Sequence, residues 1–185
     1  MAVLTLKRTQ SLGDLTPGWK TLTVVAAKKG KYDSGEGKKY IDITFDGYPE
    51  SVKLRAHQKF NKKTNEEFVV LNIFRNANAG VKEVAQSEDG EFRVEIDDSP
   101  ENLIGKKLNV YFYKNAKGYT DISDRTVPTV FKNALDEYTQ EDIDNLMKYT
   151  YENRIKPFIT QSSPDTWDAS SNESVEAPTE ADTSW

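Results

Sequence analysis

The sequence predicts a small, mainly antiparallel β barrel, followed by one helix and an acidic tail without regular structure. Three observations carry this. Residues 18–126 show repeated period-two alternation of apolar and polar side chains, the mark of half-buried antiparallel strands. Residues after Thr139 switch to helical spacing. From about residue 161 the chain is Ser, Thr, Asp, Glu and Pro with few large apolar side chains, too little buried surface to offset the entropy of ordering.

Residues 19–32 (WKTLTVVAAKKGKY) and 38–45 (KKYIDITF) flank a turn cluster, DSGEG, and predict a long hairpin. In the second strand Ile41, Ile43 and Phe45 share one face, and Tyr40, Asp42 and Thr44 share the other. Residues 51–58 (SVKLRAHQ) alternate again, with Val52, Leu54 and Ala56 opposite Lys53, Arg55 and His57. NKKTNE (61–66) is a polar, basic loop. FVVLNIF (68–74) is continuously apolar, so it is either a buried strand or the start of a helix; periodicity does not decide. ANAGVKEVAQ (77–86) is a short helix or a loop, and EFRVEI (91–96) a short strand.

SPENLIG (99–105) fits a short helix, with Ser99 as cap, Pro100 in the first turn and Gly105 at the exit. KLNVYFY (107–113) and GYTDISD (118–124) form a second hairpin across KNAKG. Here Leu108, Val110 and Phe112 face inward, and Asn109, Tyr111 and Tyr113 outward. The last helix begins at Thr139 with a capping box to Asp142 and is expected to stop at Pro157. About five bent strands with a helix before the final hairpin predict an oligonucleotide-binding (OB) type of barrel, with a small sandwich as the rival. The expected division is a barrel domain over 1–134, a C-terminal helix over 135–160 packed on it, and the tail over 161–185.

The 185 residues contain no Cys and one His, His57, which rules out disulfides, thiolate sites and multi-histidine metal centres within one chain. The start, MAVLTLKRTQ, lacks the apolar run of a secretory signal, and no run reaches membrane-spanning length. A soluble protein of a reducing cytoplasm is expected, with no membrane partner. The net charge of −5 conceals an asymmetry. Residues 1–63 hold 13 Lys and Arg against six Asp and Glu, whereas residues 161–185 hold six acids and no base. A basic body joined to an acidic tail is common in polyanion binders, because the tail can occupy the basic surface when the ligand is absent.

The outward residues of the strands are Tyr40, Lys53, Arg55, His57, Tyr111, Tyr113, Tyr119 and Arg125. Rings and cations together suit single-stranded nucleic acid, whose bases stack on rings while Lys and Arg track phosphates. Lys28, Lys29, Lys31, Lys38 and Lys39 flank the first turn, and Lys59, Lys62 and Lys63 lie in the next loop, where OB barrels line their groove. Against this, outward tyrosines often lie under a helix, and the 139–153 helix is available to cover some of them. Catalysis finds little support. His57 has no evident acid partner, and no P-loop, dinucleotide fingerprint or nucleophile elbow is present. Asp97, Asp98 and Glu101 suggest a Mg²⁺ site, but the Ser-Pro that follows favours a turn and helix cap. No cofactor and no enzymatic activity are expected.

LIGKKLNVYFYKNAKGYTDISDRTVPT (103–129), together with the acidic tail ending in an aromatic residue, resembles the single-stranded DNA-binding proteins of tailed bacteriophages. Those two stretches cover about a quarter of the chain. The resemblance implies an OB barrel that binds and protects single-stranded DNA without sequence preference in replication, recombination or repair, in the cytoplasm of a bacterial host. It also implies a tail whose tip, here Asp182 and Trp185, docks into replication or recombination enzymes. The family's tips usually end in phenylalanine; here the ring is Trp185. Assembly as a homodimer is left open. The alternative reading is an accessory protein that does not bind DNA and turns the same β face to another protein.

Overall fold

The computed structural model describes residues 13–33, 37–84 and 93–161. The strands are β1 (Gly18–Lys31), β2 (Lys39–Phe45), β3 (Lys53–His57), β4 (Val81–Val84), β5 (Arg93–Ile96), β6 (Lys107–Lys114), β7 (Thr120–Ile122), β8 (Phe131–Lys132) and β9 (Glu137–Tyr138). The helices are α1 (Val69–Asn76), α2 (Gln140–Thr150) and α3 (Lys156–Gln161), with a 3₁₀ turn at Pro100–Leu103 and a π-turn at Tyr151–Ile155.

Five strands form one antiparallel sheet in the order β3-β2-β1-β6-β7. The 14-residue β1 serves two partners: Gly18–Thr23 pair with β6, and Val24–Lys31 pair with β2 across a register shift between Val24 and Ala26. A bulge of this kind bends the strand and sharpens its twist. The sheet therefore curls until β7 comes into contact with β3. A three-strand meander, a helix and a closing hairpin beside the first strand make the OB-type barrel expected from the sequence, rather than two packed sheets. The hairpins β4–β5 and β8–β9 are separate additions. The second of these spans residue 134, where the sequence had suggested the barrel ends.

The inner face follows the alternation. Ile41, Ile43, Phe45, Leu54, Ala56, Leu108, Val110 and Phe112 are buried in one core with Val24 and Leu103. The ambiguous run 68–74 is helix α1, which buries Val69, Val70, Ile73 and Phe74 in that core. Its β-branched residues do not favour a helix by propensity; burial against the barrel overrides it. Phe68 at the N-cap has no capping side chain. Glu67 replaces it, its carboxylate accepting from the N–H groups of Val69, Val70 and Leu71 at 2.8–2.9 Å. Within 77–86, where a helix or loop was expected, residues 81–84 form β4.

Three local expectations need correction. Ser99 makes no side-chain cap bond; Asp97 instead accepts from the Ser99 N–H and hydroxyl, and pairs with Lys82 at 3.0 Å. Among the described residues no group of three or more acids, His or Cys is arranged to hold a metal ion. Pro157 does not stop the last helix, which continues to Gln161. The π-turn just before it bonds the Lys156 N–H to the Tyr151 carbonyl, five residues back. That wide turn moves the helical path away from the clash a proline makes with the preceding turn. The capping box at Thr139 and Asp142 forms as the sequence indicated.

The third correction is Asn109, expected outward but only 3% exposed. The segment around Val127 runs antiparallel along its edge, pairing both backbone groups of Asn109 with Val127. Its side-chain amide donates to the Pro128 carbonyl at 2.6 Å and accepts from the Thr21 hydroxyl at 2.5 Å. Asn109 therefore ties β1, β6 and the 126–128 segment together. Asn109→Ala leaves the hydroxyl and the carbonyl without partners and is expected to cost about 1–3 kcal/mol. A lowered urea midpoint with unchanged m-value checks this.

Candidate nucleic-acid interface

The outer face divides into an open half and a covered half. The open half lies on the end of β1 and on β2 and β3. Register pairs Gly30 with Tyr40, Tyr40 with His57, and Asp42 with Arg55. Paired residues project to the same side of a sheet, so these side chains meet. Gly30 has no side chain, and the Tyr40 ring lies over it; a Cβ there would collide with the ring.

Tyr32, just past β1, completes a cluster of rings. It lies 5.0 Å from Tyr40 and stacks on the His57 ring at 5.8 Å and 11°, centroid to centroid. The Tyr32 hydroxyl is 3.3 Å from His57 Nε2. The Arg55 guanidinium lies 4.3 Å from the Tyr40 centroid. Arg55 is held there by a bidentate bond to Asp42, Nε to Oδ1 at 2.6 Å and Nη2 to Oδ2 at 2.7 Å. Lys53 adds a third cationic contact to Asp42 at 3.0 Å.

Burial alone would raise the Asp42 carboxyl, but the hydrogen bonds and charges of Arg55 and Lys53 outweigh it and hold the group below its ordinary value. The same bond to Asp42 pushes the Arg55 guanidinium further into its charged form, against partial burial. Lys53 and Arg55, expected as phosphate contacts, both engage Asp42, and Arg55 also lies against the Tyr32 and Tyr40 rings.

Beside the cluster runs a groove of about 660 Å³ lined by Tyr32, Lys38, Lys39, His57, Lys59 and Phe60. It lies between residues 37–39, at the start of β2, and residues 57–60, at the end of β3 and just after it. Lys38, Lys39, His57 and Lys59 are brought together here, and neither Lys38 nor Lys39 has an ion pair among the described residues. A second groove, about 350 Å³, shares His57 and Lys59 and continues to Arg125 and Arg154.

The remaining predicted residues lie elsewhere. Lys29 pairs with Asp98 at 2.8 Å, and Lys28 lines a small hollow with Asp42 and Lys53. Lys31 is exposed at the end of β1. Lys62 and Lys63 are exposed in a loop closed on itself by an Asn65 to Asn61 backbone bond and line neither groove. Tyr119 is 69% exposed on the β6–β7 turn. Asp182 and Trp185 lie outside the described residues.

Tyr111 and Tyr113 form the covered half. The C-terminal helix lies over them, with Tyr151 at 5.1 Å from Tyr111 and Phe158 edge-on to Tyr113 at 6.2 Å. Trp19 packs on Tyr111 from the other side at 5.3 Å. Burial, reinforced by Tyr151, pushes the Tyr111 hydroxyl up to about 12. Burial likewise raises Tyr113, helped by Asp121 and Asp124. Tyr113 still reaches the wall of the second groove.

Sequence reasoning missed Tyr32, Asp42 and Arg154 as site residues. Asp42 was visible as the outward residue between Tyr40 and Thr44; the hairpin register that sets it opposite Arg55 was not.

Comparison with known protein families, curated proteins and solved structures finds no match to this chain.

Because the folded Asp42 carboxyl titrates below its ordinary range, its contribution to stability is complete above an unfolded value of about 3.9. It is lost as pH falls through the depressed folded value. The stability difference between wild type and Asp42→Asn is therefore expected to be largest near neutral pH and to shrink below about pH 4. Urea unfolding of both proteins across pH 3–7 reads it; a difference that grows on acidification contradicts the ion pairing of Asp42.

Proposed function

We propose that this chain is a sequence-independent single-stranded DNA-binding protein, acting in bacteriophage DNA replication or recombination in the cytoplasm of the host cell. The observation that carries the reading is the Tyr32–Tyr40–His57 ring cluster beside the groove of Lys38, Lys39 and Lys59. Rings and cations in contact offer both things an unpaired strand presents, base faces and phosphates. A duplex keeps its bases stacked inside and cannot use the rings. No helix among the described residues is long and apolar enough to cross a membrane, which fits this setting. The acidic tail extends the reading: its charges compete for the basic groove, and Trp185 anchors partner enzymes.

Oligo-dT is expected to bind far better than a hairpin duplex of equal length. The slope of log K against log[salt] is expected to be about −0.7 for each phosphate contacted. Tyr40→Ala is expected to weaken oligo-dT binding by about 1–3 kcal/mol, whereas Tyr40→Phe, which keeps the ring, retains it. Equal affinity for duplex and single strand, or a flat salt response, overturns the reading in favour of a protein-binding face.

Deleting residues 161–185 removes six carboxylates and is expected to tighten oligo-dT binding, most at low salt. Deleting Trp185 alone removes only the ring and is expected to leave DNA binding unchanged while abolishing pull-down of a replication or recombination enzyme. Filter binding of the two truncations over a salt series, with matched pull-downs, separates the roles.

A further inference from the structure

Resting on the single-strand reading, we infer that the C-terminal helix carries a second nucleic-acid subsite, centred on Arg154 and Tyr149, that takes the strand leaving the ring cluster at His57. The two grooves are continuous in composition. The first ends at His57 and Lys59, and the second begins with them and runs to Arg125 and Arg154. A third hollow, about 280 Å³, shares Arg125 and Arg154 and adds Arg75 and Tyr149.

The charge along this path is mostly positive. Asp124 is the acid within it, paired to Lys59 and to Arg125 at 3.4 Å each. Arg75 is bound bidentately by Asp136 at 2.6–2.7 Å. Arg154 is exposed and has no ion pair among the described residues, so its charge is available to a phosphate without breaking an internal contact. Tyr149 is 56% exposed on one side of it, and Phe158 is equally exposed on the other.

The backbone explains why Arg154 faces the path. Ile143 is buried on the inner face of α2. In an uninterrupted α-helix the residue eleven positions on, after about three turns, returns to the same face. That residue is Arg154. The π-turn inserts one extra residue, so Ile155, 1% exposed, takes the buried position and Arg154 is turned out to the groove. Single π-turns within α-helices recur at functional sites.

The experiment uses the full chain with oligo-dT of about five and about sixteen nucleotides, lengths near the two ends of the range one OB barrel covers. Wild type, Arg154→Gln, Tyr149→Ala and Tyr40→Ala are titrated over a salt series, and thermal melting verifies that each is folded. Tyr149→Ala is expected to weaken the long oligonucleotide roughly fivefold or more and to leave the short one unchanged. Arg154→Gln is expected to flatten the salt slope for the long oligonucleotide by about 0.7 and for the short one not at all. Tyr40→Ala weakens both. If wild type binds both oligonucleotides and the two helix variants match it in affinity and slope, or weaken both lengths equally, the subsite is wrong and the single-strand reading stands. If wild type binds neither, both fall together.

Discussion

The register shift between Val24 and Ala26 is the constraint on which the architecture depends. A straight strand of β1's length would hold β2 and β6 on one flat sheet. The shift lets one strand give its first half to β6 and its second half to β2, turning the chain between them. Val24, at the bend, is not left unsatisfied: its N–H donates to the Lys106 carbonyl and its carbonyl accepts from the Gly105 N–H. The Gly105–Lys106 segment that follows the 3₁₀ turn therefore does more than connect strands, since it satisfies both backbone groups of Val24 at the bend. Curling then brings β3 beside β7, and the two basic grooves lie on either side of His57 and Lys59, at the end of β3.

On the outer face, cations divide by what they already hold. Arg55 and Lys53 are spent on Asp42, Arg75 on Asp136, and Lys29 on Asp98. These contacts fix strands and helices relative to one another. Lys38, Lys39 and Arg154 have no such partner among the described residues. A cation with a bidentate carboxylate must break a charge-assisted bond to reach a phosphate, whereas an unpaired one exchanges only water. The division separates cations already held by a carboxylate from cations with none among the described residues, which a count of Lys and Arg in the sequence does not.

The barrel strands were legible because their burial is one-sided, and alternation survives wherever one face is wet. Residues 68–74 were not legible, because a continuously apolar run carries no period; the core packing of α1 and the Glu67 carboxylate decide it as a helix. Asn109 failed for a different reason. It obeys the alternation, but a segment eighteen residues on pairs along the edge of β6, and its Pro128 carbonyl takes up the side-chain amide. Tyr111 and Tyr113 failed similarly, since the helix that covers them begins some thirty residues later. Pro157 misled because a local rule for α-helices does not hold after a π-turn.

The covering helix also explains where the open face had to be. With β6 roofed over by Tyr151 and Phe158, the exposed rings left to the sheet are those of the β1–β2–β3 meander. That meander lies within residues 1–63, the most basic stretch of the chain. Ring cluster and positive charge therefore come from one contiguous segment, while the helix closes the other flank. The helix ends at Gln161, three residues beyond Phe158, which lines the second groove. The six carboxylates of residues 161–185 follow directly. On the proposed reading their tether starts at the edge of the binding path. On that reading, competition between tail and DNA requires no docking site for the tail, because charges joined covalently to the groove's edge act there at high effective concentration.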